Sequence, residues 1–302
     1  MRLAYIPFLL SLLLLYSCEG ERVSTFSITS YNLYLLFDGT DDGDEFPPLS
    51  SNEGYGDEEY LERLDIYSSV FNDDEFLSDV LVFQEIESEE IVRDIALMLY
   101  DKGYHYYGIT QNDGPLEIAF ISKVVPERVA LHQYGKRRGM IELVFPLGMK
   151  KMSVFVVHLK SQIGEGSSEE REEEWNYIDT LLDATTSDYS MVIGDFNEDT
   201  RTSGLFPITG NIDYVSDELL YSAALDERFD SQGTYYYNGT WERLDDAFFS
   251  SGFFSGEFEA IDVDVLDLEK LADGNGIPEK YDMKEGEGYS DHFPIKVELW
   301  YH

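Results

Sequence analysis

The chain has 302 residues, 43% of them hydrophobic, with one cysteine and 61 acidic against 21 basic side chains, a formal net charge of -40. The apolar content supports a packed core and excludes general disorder, and a lone cysteine excludes a disulfide scaffold or a cysteine-rich zinc site. The charge excludes a protein that coats nucleic acid non-specifically, because phosphates would be repelled, but not an enzyme that admits one phosphate to a cation-containing cleft.

Arg2 precedes an apolar run from Leu3 to Leu15. As a helix this run would be roughly 20 Å long at ~1.5 Å per residue, short of the ~30 Å hydrocarbon core of a bilayer. The apolar region of a signal peptide fits it better. It ends in Leu15-Tyr16-Ser17-Cys18, followed at once by Glu19-Gly20-Glu21, and so resembles a bacterial lipobox with Cys18 as the lipidated residue. The expected organisation is a signal peptide over 1–18, a short tether over 19–25 and one domain over 26–302. That domain would sit outside the cytoplasm at the cell envelope, touching membrane through its lipid anchor only.

Short runs rich in Val, Ile and Phe predict strands at Phe26-Ser27-Ile28, Val80–Phe83, Ile118–Ile121, Met140–Phe145, Val154–Val157, Met191–Ile193, Ala247–Phe249 and Phe293–Trp300. Helical spacing relates Leu61, Leu64, Tyr67 and Phe71, then Ile91, Ile95 and Leu99, then Trp175, Ile178 and Leu182. Strands outnumber helices, and runs such as Val154–Val157 suit strands buried on both faces. Packed sheets with helices outside would satisfy both patterns.

Charge is unevenly spread. Asp38 to Glu59 holds nine acids and no Lys or Arg, and Glu165 to Glu174 is also acidic. Between Lys123 and Lys160 lie Lys123, Arg128, Lys136, Arg137, Arg138, Lys150, Lys151 and Lys160 against only Glu127 and Glu142. A basic island in so acidic a chain is a candidate face for an anionic substrate, with Lys123, Arg137 and Arg138 near the cleft and the acidic segments away from it or bridged by cations. Asp38-Gly39-Thr40-Asp41-Asp42-Gly43-Asp44 resembles the start of a calcium loop, but the twelfth position is Leu49, which excludes an EF-hand.

Polar residues cluster at predicted strand ends: Asn32, Glu85, His158, Asp195 with Asn197, Asp245, and Asp291 with His292. Rigid scaffolds present functional side chains at such places. Carboxylates with amide oxygens are hard ligands that suit magnesium, with manganese or calcium as alternatives, and two histidines beside them can protonate or stabilise phosphate oxygens.

In order, Ser30-Tyr31-Asn32-Leu33, Phe83-Gln84-Glu85, Val157-His158-Leu159-Lys160, Gly194-Asp195-Phe196-Asn197, Arg243-Leu244-Asp245 and Tyr289-Ser290-Asp291-His292-Phe293-Pro294 resemble the endonuclease/exonuclease/phosphatase superfamily, which includes pancreatic-type deoxyribonuclease. The resemblance implies an α/β fold: a four-layer αββα sandwich, two mixed β-sheets face to face with helices outside. It implies that Asn32, Glu85 and Asp291 hold Mg2+, with Glu85 the principal ligand. Asp195 and Asn197 would position water and phosphate. His292, oriented by Asp245, would act as base or phosphate-stabilising group. His158 would stand near the leaving oxygen, with Glu117 as its partner. The implied activity is phosphodiester hydrolysis, with nucleic acid preferred as substrate by a monomer. Lipid or inositol phosphates, or a non-catalytic surface-binding role, are the alternatives. The stretch after His158 lacks the Tyr-x-Pro-Asn signature of abasic-site repair enzymes, and no long apolar insertion marks a membrane-penetrating sphingomyelinase.

Overall fold

The computed structural model describes residues 23–302 apart from 44, 48, 51–52, 113, 136–138 and 228–231. Arg2, Cys18, Arg137 and Arg138 therefore lie outside the described residues. Strands β1 (Ser24–Leu36), β2 (Val80–Ile86), β3 (Tyr106–Ile109) and β4 (Glu117–Ser122) come from the first part of the chain. The next are β5 (Arg128–Gln133), β6 (Gly139–Leu147), β7 (Lys150–His158), β8 (Tyr189–Asp195), β9 (Ile208–Thr209) and β10 (Leu220–Ser222). The remainder are β11 (Tyr235–Tyr237), β12 (Thr240–Glu242), β13 (Asp245–Phe249), β14 (Phe258–Val265) and β15 (Ile295–Tyr301). One mixed sheet has the order β14-β15-β1-β2-β4-β3 and the other β5-β6-β7-β8-β13-β10-β9, while β11 and β12 form a separate hairpin.

Each large sheet has a central parallel pair whose two strands are joined by a helix, and β9 and β10 pair parallel at the border of the second sheet. Helix α1 (Asp57–Phe71) joins β1 to β2, and α3 (Ser167–Ala184) joins β7 to β8. Helix α2 (Glu89–Met98) follows β2 and begins at Ser88, whose hydroxyl accepts from the Ile91 amide.

The layers follow from which face each apolar residue takes. Phe26, Ile28, Val82 and Phe120 of the first sheet meet Ile141, Val154, Ile193 and Phe249 of the second in one buried core. On the outer face of the first sheet, Leu81 and Phe83 pack with Tyr67, Phe71 and Ile95 of α1 and α2. On the outer face of the second, Phe155, Val192 and Phe248 pack with Trp175 and Ile178 of α3. The central strands β1, β2, β7 and β8 are covered on both sides, which is why β2, β7 and β8 read as continuous apolar runs.

Three details differ from the sequence reading. Leu61 is exposed, and α1 turns Tyr60, Arg63, Leu64 and Tyr67 inward instead. Strand β15 begins at Ile295 rather than Phe293. Strands β3, β5, β9 to β12 and β14 were not predicted; β14 alternates acids with apolar residues along an edge of its sheet, so it shows no apolar run.

Candidate active site

Both helix-joined parallel pairs, β1–β2 and β7–β8, end at the same edge of the sandwich. In the second sheet His158, the last residue of β7, pairs with Asp195, the last of β8, and Asp195 pairs with Asp245, the first of β13. Three neighbouring strands ~4.8 Å apart thus carry His158, Asp195 and Asp245 in one row. Gly194 makes this close approach possible: at φ +142 a Cβ there would lie 2.1 Å from the Val157 carbonyl oxygen. The chain then turns sharply, with Asn197 at φ 51, so that its amide donates to Asp195 Oδ1 (2.8 Å) and its side chain to the Leu159 carbonyl (3.0 Å).

In the first sheet Asn32 pairs with Gln84, and a register irregularity follows between β1 and β2. Tyr34, Leu35 and Glu85 occupy the left-handed region at φ 46, 52 and 62. Such conformations cost on the order of 1–3 kcal/mol each and persist where the surroundings over-determine them. Here the strained turn brings the Leu35 amide onto Glu85 Oε2 (3.0 Å) and the Tyr34 amide onto Asn32 Oδ1 (2.9 Å).

The two sheets meet across this edge. Asn32 Nδ2 donates to Asp195 Oδ2 at 3.0 Å. His158 Nε2 stands 3.5 Å from Asp195 Oδ2 and 3.7 Å from Glu85 Oε1. His292 arrives just ahead of β15, its amide donating to Ser290 Oγ (3.1 Å) and the following Phe293 amide to the Thr234 carbonyl (2.7 Å). Its Nδ1 lies 2.7 Å from Asp245 Oδ2, and the Asp245 amide donates to Thr234 Oγ1 at 3.0 Å.

The electrostatics follow from burying several charges together. Burial would by itself lower the His292 pKa, but the carboxylates of Asp245 and Asp195 overcome it and raise it to about 10. Burial also pushes Asp195 up, to about 7, with Asp245 and Glu85 adding to the rise and the His292 cation opposing it. Asp195, Asp245 and His292 each offer a ligand atom within 4.8 Å of the others. Among the described residues Asp245 Oδ1 is buried with no hydrogen-bond partner. Together with Glu85 and Asn32, these groups form an oxygen-rich, negatively charged set that fits a hard divalent cation better than a soft one.

Asp291 sits on the rim, with Oδ1 3.9 Å from His292 Nε2 and Oδ2 accepting from Lys280 Nζ at 3.1 Å. Lys280 also stands 4.1 Å above the Tyr34 ring. Neither Lys280 nor Tyr34 was singled out in the sequence, because an isolated lysine in an irregular segment carries no local signal. Beside His158 lies a small recess lined by Tyr134 and Tyr177, whose rings are 5.3 Å apart.

Two further expected residues, Glu117 and Lys123, lie at opposite ends of β4. Glu117 begins β4 opposite Ile86, beside the site edge, and its carboxylate accepts from the Thr110 hydroxyl and the Asn112 amide (2.7 Å), closing the β3–β4 hairpin. Lys123 corrects an expectation more plainly. β4 runs antiparallel to β2, so its first residue, not its end, reaches the site edge. Lys123 follows the far end of a six-residue strand, about 20 Å away at ~3.3 Å per residue, with its ammonium 4.9 Å over the Tyr104 ring. The acidic segments are also not removed from the cleft. Both follow strands that end there, the first after β1 and the second after β7. The Asp38 amide donates to Glu87, two residues beyond Glu85, and Glu174 accepts from the Lys160 amide, two residues beyond His158.

Comparison with known proteins gives the following. Residues 27–300 match the family described as the Endonuclease/Exonuclease/phosphatase family. No curated protein matches the sequence. An endonuclease/exonuclease/phosphatase family protein from Bacteroides thetaiotaomicron is 18% identical, with a TM-score of 0.57 over 93% of this chain and 99% of that one. Truncated TDP2 from Caenorhabditis elegans is 14% identical, with a TM-score of 0.58 over 91% and 97%. Sphingomyelinase C from Streptomyces griseocarneus is 16% identical, with a TM-score of 0.57 over 91% and 99%. At these identities the three structures establish the fold alone.

Proposed function

The chain belongs to the endonuclease/exonuclease/phosphatase family, and from that premise we propose that it is a Mg2+-dependent phosphodiesterase, with nucleic acid as the preferred substrate class. The observation that carries the reading is the buried His292–Asp245 pair at 2.7 Å, facing Asp195 across an edge that also holds Glu85, Asn32, Asn197 and His158. A binding module has no need of two histidines, four carboxylates and two amides converging at strand ends.

Hydrolysis of a phosphodiester needs an aligned water, relief of charge on the phosphate and a proton for the leaving oxygen. Glu85, Asn32 and Asp291 would hold the divalent ion, which when bound supplies charge neutralisation. Asp195 is fixed by both asparagines and can align and deprotonate a water. His292, protonated against Asp245, can donate to a non-bridging phosphate oxygen. His158, between Glu85 and Asp195, can serve the leaving oxygen.

The second reading, a hydrolase for small or lipid-borne phosphate esters, is favoured by the acidic segments that border the cleft, since they would repel a long polyanion. The test is Mg2+-dependent hydrolysis of bis-p-nitrophenyl phosphate by the domain, followed by DNA, RNA, sphingomyelin and inositol phosphates. We expect turnover of the model diester and of a nucleic acid. Turnover of the lipid or inositol phosphates alone would transfer the assignment to the second reading. Absence of any metal-dependent hydrolysis would leave only a binding role.

We further propose an envelope location through Cys18, supported by the apolar run that ends at the only cysteine. Cys18→Ser is expected to release the protein from the membrane fraction or leave it unprocessed. A lipid-modified, membrane-bound mature species in that variant would overturn the anchor.

A further inference from the structure

Arg63 is an arginine in the wrong kind of place. It lies on the inner face of α1 with no solvent exposure. Burying a guanidinium is costly unless its charge and donors are met. Among the described residues no carboxylate forms an ion pair with it. Its donors go instead to three consecutive carbonyls: Nη1 to Leu35 (2.6 Å), and Nη2 to Leu33 (3.1 Å) and to Tyr34. The guanidinium also lies 4.3 Å over the Tyr281 ring. The Tyr67 hydroxyl, one turn further along α1, is 2.8 Å from the same Leu33 carbonyl.

These carbonyls belong to the strained turn of the active-site edge, where Tyr34 and Leu35 both have positive φ. The far ends of the same peptide units point at the site. The unit whose carbonyl is Leu33 presents the Tyr34 amide to Asn32 Oδ1 at 2.9 Å. The unit whose carbonyl is Tyr34 presents the Leu35 amide to Glu85 Oε2 at 3.0 Å. Arg63 therefore holds the back of two peptide groups whose fronts hold two side chains of the site. A cation at the carbonyl end also strengthens the N–H at the other end, because hydrogen bonds in a chain polarise one another.

We propose that Arg63 is a positioning residue for divalent-ion binding: through the Leu33–Tyr34 and Tyr34–Leu35 peptide units it fixes the carboxylate of Glu85 and the amide of Asn32 in their ligand orientations. It touches neither substrate nor ion. The inference rests on Glu85 and Asn32 being ion ligands. The groups that orient ligands typically govern metal affinity by 10–100-fold.

The test is Mn2+ binding to the whole domain, followed by the EPR signal of the free ion, alongside thermal unfolding. Arg63→Lys keeps the charge but loses the fork that spans three carbonyls. We expect it to weaken Mn2+ binding on the order of 10-fold, with turnover restored to within a few-fold when the ion is saturating. In a Glu85→Gln background the same change should weaken binding no further. Mn2+ affinity within twofold of wild type, in a folded Arg63→Lys protein of lowered melting temperature, would overturn the proposal and leave Arg63 a merely structural residue. Should Arg63→Lys fail to fold, Tyr67→Phe decides. It removes the hydroxyl that reaches the Leu33 carbonyl and, at 3.1 Å, the Tyr289 carbonyl, so a few-fold loss of Mn2+ affinity that persists in an Asp291→Asn background supports the proposal and no loss overturns it. Glu85→Gln alone separates the two levels: if it leaves Mn2+ binding intact, the ligand assignment fails and takes this inference with it.

Discussion

Replacing Glu85 with Gln is expected to lower metal-dependent hydrolysis by on the order of 10³-fold while the domain stays folded. Gln keeps the shape of the side chain and can still accept from the Leu35 amide, which lies 3.0 Å from Oε2. What it loses is the charge. A bound ion supplies several kcal/mol of charge stabilisation to the reacting phosphate, and each ~1.4 kcal/mol is tenfold in rate. The left-handed backbone at Glu85, φ 62, is retained in the variant, so its strain does not enter the comparison. Rates at saturating Mg2+ and a circular dichroism spectrum check the outcome. A folded Glu85→Gln protein within a few-fold of wild-type turnover would remove Glu85 as the principal ligand.

His292→Ala should cost 10²–10⁴ in rate, the usual range for a positioned acid or base. The pH profile then distinguishes its role. Asp245 and Asp195 hold the imidazole pKa up to about 10, against the effect of burial. The protonated, donating form therefore predominates at neutral pH and is lost as pH rises through that value. A bound divalent ion repels the imidazolium and lowers the value, so the alkaline fall in rate is expected at or below about pH 10. Asp245→Asn removes the largest raising charge and leaves those of Asp195 and Asp291 against burial, which should move the alkaline fall to lower pH. A rate that climbs over the same range, and climbs earlier in Asp245→Asn, would instead make His292 a general base. Loss of less than a few-fold in His292→Ala would remove it from the chemistry altogether.

Much of this edge was legible in the chain because its residues terminate buried strands. Val154–Val157 and Met191–Ile193 are continuous apolar runs, so the polar residues that end them, His158 and Asp195, stand out. The layering was legible for the same reason, since strands covered on both faces cannot alternate. Edge strands such as β14 escaped notice because half of their side chains meet water. Lys123 was misplaced because sequence shows where a strand ends but not which way it runs in the sheet. Lys280 meets Asp291 only through an irregular excursion between β14 and β15, and nothing local records that return. Arg63 was hidden in a different way. On an apolar helical face it reads as a surface charge, and its buried role depends on a strained turn some thirty residues earlier.

The site is assembled from residues far apart along the chain. Asn32 and Glu85 come from the first third of the chain, whereas His292 follows Glu85 by about 200 residues. Strand β15, which follows His292, does not sit at a border: it occupies the place between β14 and β1, zipped to β1 from Ser24–Tyr301 to Ser30–Ile295. Until β15 docks, β1 lacks one neighbour along its length and His292 is not held at the site. Contacts this distant in sequence form late and cooperatively, because the loop must close before they contribute. A chain with β15 undocked can therefore carry Asn32 and Glu85 without the finished centre, which is completed only when β15 closes the sheet.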